Sequence, residues 1–154
     1  RLFPDANFVK VAEYYQQKPA FRKAFGNMLL LDAIICNTDR HFGNFGFLIN
    51  NKTNTIKECA PLFDHGNSLF NLAPLDAFKS FDALCEYAAT QMPRTYDDFV
   101  GTAKRFMDKS SKAKLRNLTQ FKFKKHSKYN LPEKRLMLIE KFVQEQAKIL
   151  LKFP

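Results

Sequence analysis

No apolar run in the sequence is long enough to cross a bilayer. A spanning helix needs roughly 20 apolar residues, and the longest stretches here, 28–36 and 136–151, are too short or broken by charge. No secretory leader is visible, and the chain opens on Arg1 rather than methionine, so it reads as a piece of a longer or processed chain. The only cysteines, Cys36, Cys59 and Cys85, are widely spaced with no Cys-x-x-Cys pair, which excludes a zinc ribbon and a disulfide framework. They are expected to act as small apolar side chains in a reducing compartment, the cytoplasm. Glycine is scarce, with five residues and no G-x-G-x-x-G. Gly43 and Gly46 therefore form no phosphate cradle, and their expected job is to permit close backbone approach. No internal repeat or low-complexity tract appears, which excludes solenoids.

What is present is the composition of one globular domain, 1–154. The chain is 45% hydrophobic and 26% charged, too apolar for a disordered one, and its length allows a real core. The net charge of +10 is unevenly placed: residues 1–103 hold 10 basic and 11 acidic side chains, residues 104–154 hold 15 and 4. The stretch 104–128, from Lys104 to Lys128, carries ten basic residues against Asp108 alone. A solvated face explains it most simply. Contact with nucleic acid or anionic lipid by phosphate neutralisation is the alternative, with "FKFKKHSKY" interleaving aromatics and lysines.

Apolar periodicity predicts a helix over 5–17, with Phe8, Val11, Ala12 and Tyr15 on one face and Asp5 or Asn7 as cap. A second helix over 19–36, with Pro19 in its first turn, is apolar nearly all round, as a central buried helix is. Strands near 45–49 and 55–59 flank the turn cluster 50–54. Further helices are predicted near 75–91, 95–108, 111–121 and 132–152, punctuated by Pro93 and Pro132. The fold class is mainly α with one small β-hairpin.

The polar residues gather at that hairpin. "NTDRHFGN" precedes it and "PLFDHG" follows it. A hairpin brings its ends together, so Asp39, Asn44 and Asp64 should converge. Two carboxylates and an amide oxygen suit a hard cation such as Mg²⁺ and leave one carboxylate to orient an attacking hydroxyl. Phosphotransferases of the kinase type place a catalytic Asp five residues before a metal-binding Asn, then a metal-binding Asp-x-Gly after a short hairpin. Asp39 and Asn44 have that spacing, and Asp64-His65-Gly66 stands in that place.

The run "LLLDAIICNTDRHFGNFGFLIN", followed by "APLFDHGNSLF", resembles the C-terminal lobe of the HipA-like kinases, bacterial serine/threonine kinases of toxin–antitoxin type. The motifs cover residues 30–70. The resemblance implies the C-terminal lobe of a protein-kinase-like fold, use of ATP and Mg²⁺, and phosphorylation of a protein hydroxyl. By motif position, Asp39 would be the catalytic base and Asn44 and Asp64 the Mg²⁺ ligands, with Arg40 and His41 supporting the loop. The Asp-Arg-His order is also that of phosphatidylinositol 3- and 4-kinases, so a lipid acceptor is the alternative within this fold. The sequence departs from a whole kinase in having neither the glycine-rich loop nor a V-A-I-K-like strand. Only 29 residues precede the matching segment, so the N-terminal lobe is expected on a longer chain, with a partner chain or a catalytically dead protein as the alternatives, and this piece alone is expected to be inactive.

Each residue also has a plainer explanation. Asp39 and Asp64 suit turns that cap their own backbone, and Asn44 suits the entry to a strand. Asp39, His41, Asp64 and His65 would be the core of a two-metal hydrolase, but the remaining histidine, His126, lies in the lysine-rich stretch. His41 is therefore expected as a buried, hydrogen-bonded support, and His65 as packing in the place of a Phe. Phe42, Phe45, Phe47 and Phe63 are expected in the core, and Ser68 as a plain loop serine. A non-enzymatic binding module using the basic region is the reading from another class.

Overall fold

Helix α2 (Pro19–Ile35) runs through the centre of the molecule, as its nearly continuous apolar surface requires: nine of its 17 residues are buried. The structure, a computed structural model, describes residues 7–152. Before α2 comes α1 (Phe8–Gln16), and after it a two-stranded antiparallel sheet, β1 (Phe47–Asn50) and β2 (Thr55–Cys59). A 3₁₀ turn (Leu75–Phe78) and helices α3 (Phe81–Ala89), α4 (Phe99–Phe106), α5 (Lys109–Leu118) and α6 (Glu133–Leu151) complete the described chain. The described residues are thus mainly helical with one small hairpin, as the sequence predicts. No helix among them is long and apolar enough to cross a membrane.

Caps set most of the boundaries. Asn7 opens α1 by accepting from the Lys10 N–H at 3.0 Å, and Asp5 lies outside the described residues. The helix predicted over 75–91 is divided, because Ser80 accepts from the Ala83 N–H at 3.1 Å and starts α3 afresh. Asp98 caps α4 through the Gly101 N–H, so that helix begins at Phe99 rather than 95. Asp108 caps α5, starting it at Lys109 rather than 111. The N–H and hydroxyl of Ser111 hold the Asp108 carboxyl below its usual range. That cap therefore stabilises at neutral pH and fades as pH falls through the carboxylate range.

Two apolar clusters share α6 as a common wall. The larger joins Tyr15, Phe25, Leu29, Ala103, Phe106 and Leu115 to Val143, Ala147 and Leu150. The smaller joins Cys36, Phe70, Phe78 and Leu84 to Ile139 and Phe142. The Tyr15 ring lies 4.7 Å from both Phe25 and Phe47, so aromatic packing fixes the hairpin against α1 and α2. Phe45 and Phe47 pack against this core as expected, but Phe42 and Phe63 are exposed (36% and 48%), a correction to the core assignment. Cys85 is likewise exposed on α3, not buried like a small hydrophobe.

Helix α2 crosses α4 at Gly26, where an added Cβ would stand 2.7 Å from the Phe106 carbonyl oxygen. Alanine brings up to about 1 kcal/mol of helix propensity, but the clash is with backbone that cannot rotate away. Gly26→Ala is expected to destabilise by about 1–2 kcal/mol net, read from the urea midpoint.

Candidate functional site

The site is built on a charge inside the central helix. Asp32 is fully buried on α2, and a buried carboxylate needs charged or hydrogen-bonded partners. Arg40, also fully buried, supplies them: Nε donates to Asp32 Oδ2 and Nη2 to Asp32 Oδ1, each at 2.9 Å. Asn37 Nδ2 donates to Asp32 Oδ1 at 2.9 Å. For the chain to return over α2, the helix ends on Cys36 in the left-handed region (φ 51°). The Cys36 and Asn37 N–H groups both donate to the Asp32 carbonyl.

Arg40 also gathers the two candidate loops. Its Nη1 donates to the Asn44 carbonyl and to the Phe63 carbonyl, both at 2.9 Å. Two oxygens on one nitrogen lie within about 6 Å of each other, so the steps 44 and 63–64 meet at one guanidinium. This is also why β1 begins at Phe47 rather than 45: the carbonyl of Asn44 is given to Arg40, and the ladder resumes with Ala60 N–H to Gly46 O at 2.9 Å. Two backbone bonds then join the α2 terminus to the segment after Asp64: Leu69 N–H to Ile35 O at 2.7 Å and Thr38 N–H to Asn67 O at 3.2 Å.

Asp39 is half-buried. One carboxylate oxygen accepts from Arg94 at 2.5 Å and the other from Asn67 Nδ2 at 3.4 Å. Thr95 positions Arg94 by donating its hydroxyl to the Arg40 carbonyl at 2.9 Å. Asn44 is buried, and its Nδ2 donates to the Asp39 carbonyl at 3.0 Å, which leaves Oδ1 as the atom able to accept a cation. The Asp64 side chain is exposed and makes no hydrogen bond or ion pair among the described residues. Its backbone sits in the left-handed region (φ 59°), and Leu69 and Phe70 do too (φ 51° and 60°). A left-handed backbone is tolerable for aspartate but costs a bulky residue about 1–2 kcal/mol. The segment 64–70 therefore stores strain, which the Ile35 tie and the burial of Phe70 sustain.

The structure joins Asn44 to Asp39 directly and brings the backbone at Phe63, next to Asp64, to the same guanidinium, whereas the Asp64 side chain bonds to neither; three other assignments need adjusting. Arg40 is buried beneath the site, where it positions loops and cannot touch a substrate. His41 is half-buried rather than buried; its Nδ1 accepts from the Gly43 N–H at 3.0 Å, and a Cβ on Gly43 would stand 2.9 Å from its ring. Gly46 and Gly66 have open space around them, so close approach explains Gly43 alone of the pair considered. His65 is half-buried with Nε2 buried and unpartnered. Among the described residues no group of three or more His, Cys, Asp and Glu is arranged to hold a metal ion, which removes the two-metal hydrolase. Asn44 Oδ1 and the exposed Asp64 carboxylate are each oxygen donors of the type Mg²⁺ takes. Sequence reasoning missed Asp32, Asn37, Asn67, Arg94 and Thr95; only Asp32 carried a signal, a lone charge within "LLLDAII".

In the basic stretch, Phe121 and Phe123 are half-buried anchors packed against the two clusters, not stacking platforms. The Phe123 N–H donates to Glu140 at 2.9 Å and Gln144 donates to the Phe121 carbonyl at 2.8 Å, so α6 holds this segment in place.

Thiol chemistry reports on the site's foundation. Burial pushes the Cys36 thiol up to about 12, where almost no thiolate exists at neutral pH. Under native conditions iodoacetamide is expected to label exposed Cys85 well before Cys36, as peptide mapping would show. Labelling of Cys36 would then track opening of the α2 terminus.

No family model, no curated protein and no solved structure matches the chain.

Proposed function

We propose that this chain is the catalytic-lobe part of a HipA-like serine/threonine kinase of the cytoplasm, transferring a phosphoryl group from ATP to a protein hydroxyl. The observation that carries the reading is the shared guanidinium of Arg40, which ties the Asn44 and Phe63 carbonyls and so joins the D-x-x-x-x-N loop to the D-x-G step. In this reading Asp39 orients the acceptor hydroxyl and takes its proton, while Arg94 and Asn67 keep its carboxylate in place between turnovers. Asn44 Oδ1 and the Asp64 carboxylate would hold Mg²⁺, which when bound neutralises phosphate charge. Asp32 and Arg40 are positioning residues, setting these loops at fixed separation. The glycine-rich loop and strand lysine, absent from this sequence, would come from another segment or a partner.

The first test needs no turnover. Mn²⁺ with ATP is expected to broaden the amide NMR signals of residues 39–44 and 64–66 selectively, with Asp64→Asn weakening the effect at least tenfold. Broadening elsewhere, or broadening that Asp64→Asn leaves intact, would overturn the assignment of the metal pair.

A further inference from the structure

Beside the segment 66–71 lies a cleft of about 450 Å³, a volume suited to a small organic ligand. Its walls come from three places: Gly66, Ser68 and Leu69, the basic segment from Phe123 to Leu131, and Arg135, Leu136 and Ile139 of α6. Its lining is mixed. Leu69, Phe123, Leu131, Leu136 and Ile139 give an apolar side, whereas Lys124, Lys125, His126 and Arg135 give a cationic one.

Two polar groups there have no partner. Ser68 is 92% buried by its 8% exposure, and its Oγ accepts and donates nothing; Arg135 Nε is buried and donates nothing. A buried donor without an acceptor is unfavourable, so a pair of them in one cleft suits an acceptor-rich ligand. The rest of the Arg135 guanidinium is fixed: Nη2 donates to the Phe70 carbonyl at 2.9 Å and the group lies 4.3 Å from the Phe78 ring centre. No carboxylate among the described residues lies within ion-pair distance of it. Lys125 is paired with Glu133, but Lys124 stands exposed at the rim.

The segment that carries the lysines is built rather than loose. His126 N–H donates to Asn130 Oδ1 at 2.8 Å and Asn130 Nδ2 returns to the His126 carbonyl at 2.7 Å. His126 Nδ1 accepts from the Lys128 and Tyr129 N–H groups, each at 3.1 Å, and the ring stacks on Tyr129.

We infer that this cleft binds a phosphate monoester, its dianion meeting Arg135, Ser68 and Lys124 and its organic part resting on the apolar side. A guanidinium held in one orientation matches phosphate oxygens better than a free one, because less freedom is lost on binding. The inference is independent of the kinase reading, although the cleft wall includes the segment whose Asn67 bonds Asp39.

Amide NMR titration with phenyl phosphate tests it. Saturable shifts are expected at 66–71 and 123–131, stronger than with inorganic phosphate alone. Arg135→Gln should weaken binding at least tenfold. Because Arg135 also holds Phe70, Ser68→Ala and Lys124→Ala serve as variants that leave the fold intact, each expected to weaken binding several-fold. A phosphoserine peptide and a nucleoside monophosphate distinguish the source: tighter binding of the first assigns a phosphorylated chain, of the second a metabolite, and either upholds the site. Shifts scattered over the surface lysines, or binding unchanged in all three variants, would overturn it.

Discussion

Asp32→Ala is expected to cost about 3–5 kcal/mol of folding stability, measured from the urea midpoint, because it leaves the Arg40 guanidinium buried and unpaired. That is a large share of the roughly 5–15 kcal/mol of a typical domain. The magnitude follows from asymmetry: both partners are fully buried, so removing one keeps the full desolvation cost of the other. An apolar double substitution, Asp32→Leu with Arg40→Met, removes both charges and should recover much of the loss. It should not recover the site. Without the guanidinium, nothing joins the Asn44 and Phe63 carbonyls, and these two acceptors, one buried and one part-buried, lose a donor each. Recovered stability with lost Mn²⁺ binding would mark Arg40 as the residue that sets loop geometry. Recovery of both would mean the loops hold themselves.

This pair also marks where the sequence was readable and where it was not. Helices α2 and α6 were legible because burial imposes a period: Ile139, Phe142, Val143, Ala147 and Leu150 recur on one face and are all buried. The hairpin was legible from its turn, where Asn50 Oδ1 accepts from the Lys52 and Thr53 N–H groups and Asn54 takes the left-handed backbone. Helix starts at Ser80, Asp98 and Asp108 were misplaced because a cap is one side-chain bond, which periodicity averages over. In the site, Asp39, Arg40, His41, Asn44 and Asp64 were found because they lie in short motifs around one hairpin. Asn67, Arg94 and Thr95 were not, since their roles arise from contacts 28 to 55 residues distant that no local pattern encodes. The exposure of Phe42 and Phe63 was missed for a related reason. Arg40 holds this part of the chain through backbone carbonyls, Phe63's own and that of Asn44 two residues after Phe42, so the loops are anchored without burying either ring.

The largest expected effect is chemical. On the proposed kinase reading, Asp39→Asn in the intact enzyme should lower turnover by about 10²–10⁴, because the carboxamide can neither take a proton nor orient a hydroxyl with a full charge. On the same reading Asp64→Asn should lower it by several orders of magnitude for a different reason, the loss of the carboxylate proposed to hold Mg²⁺. The two differ in what rescues them: raising Mn²⁺ should restore part of the activity of Asp64→Asn and none of that of Asp39→Asn. Arg94→Gln separates support from chemistry. It removes the ion pair that holds Asp39 but keeps the carboxylate, so its effect should stay well below that of Asp39→Asn. The acceptor is read in the same assay: phosphate on a protein hydroxyl agrees with the proposed kinase, and phosphate on a phosphoinositide headgroup would replace it with a lipid kinase. If both aspartate variants keep full function, neither kinase stands, because a binding module working through its basic surface has no use for Asp39 or Asp64.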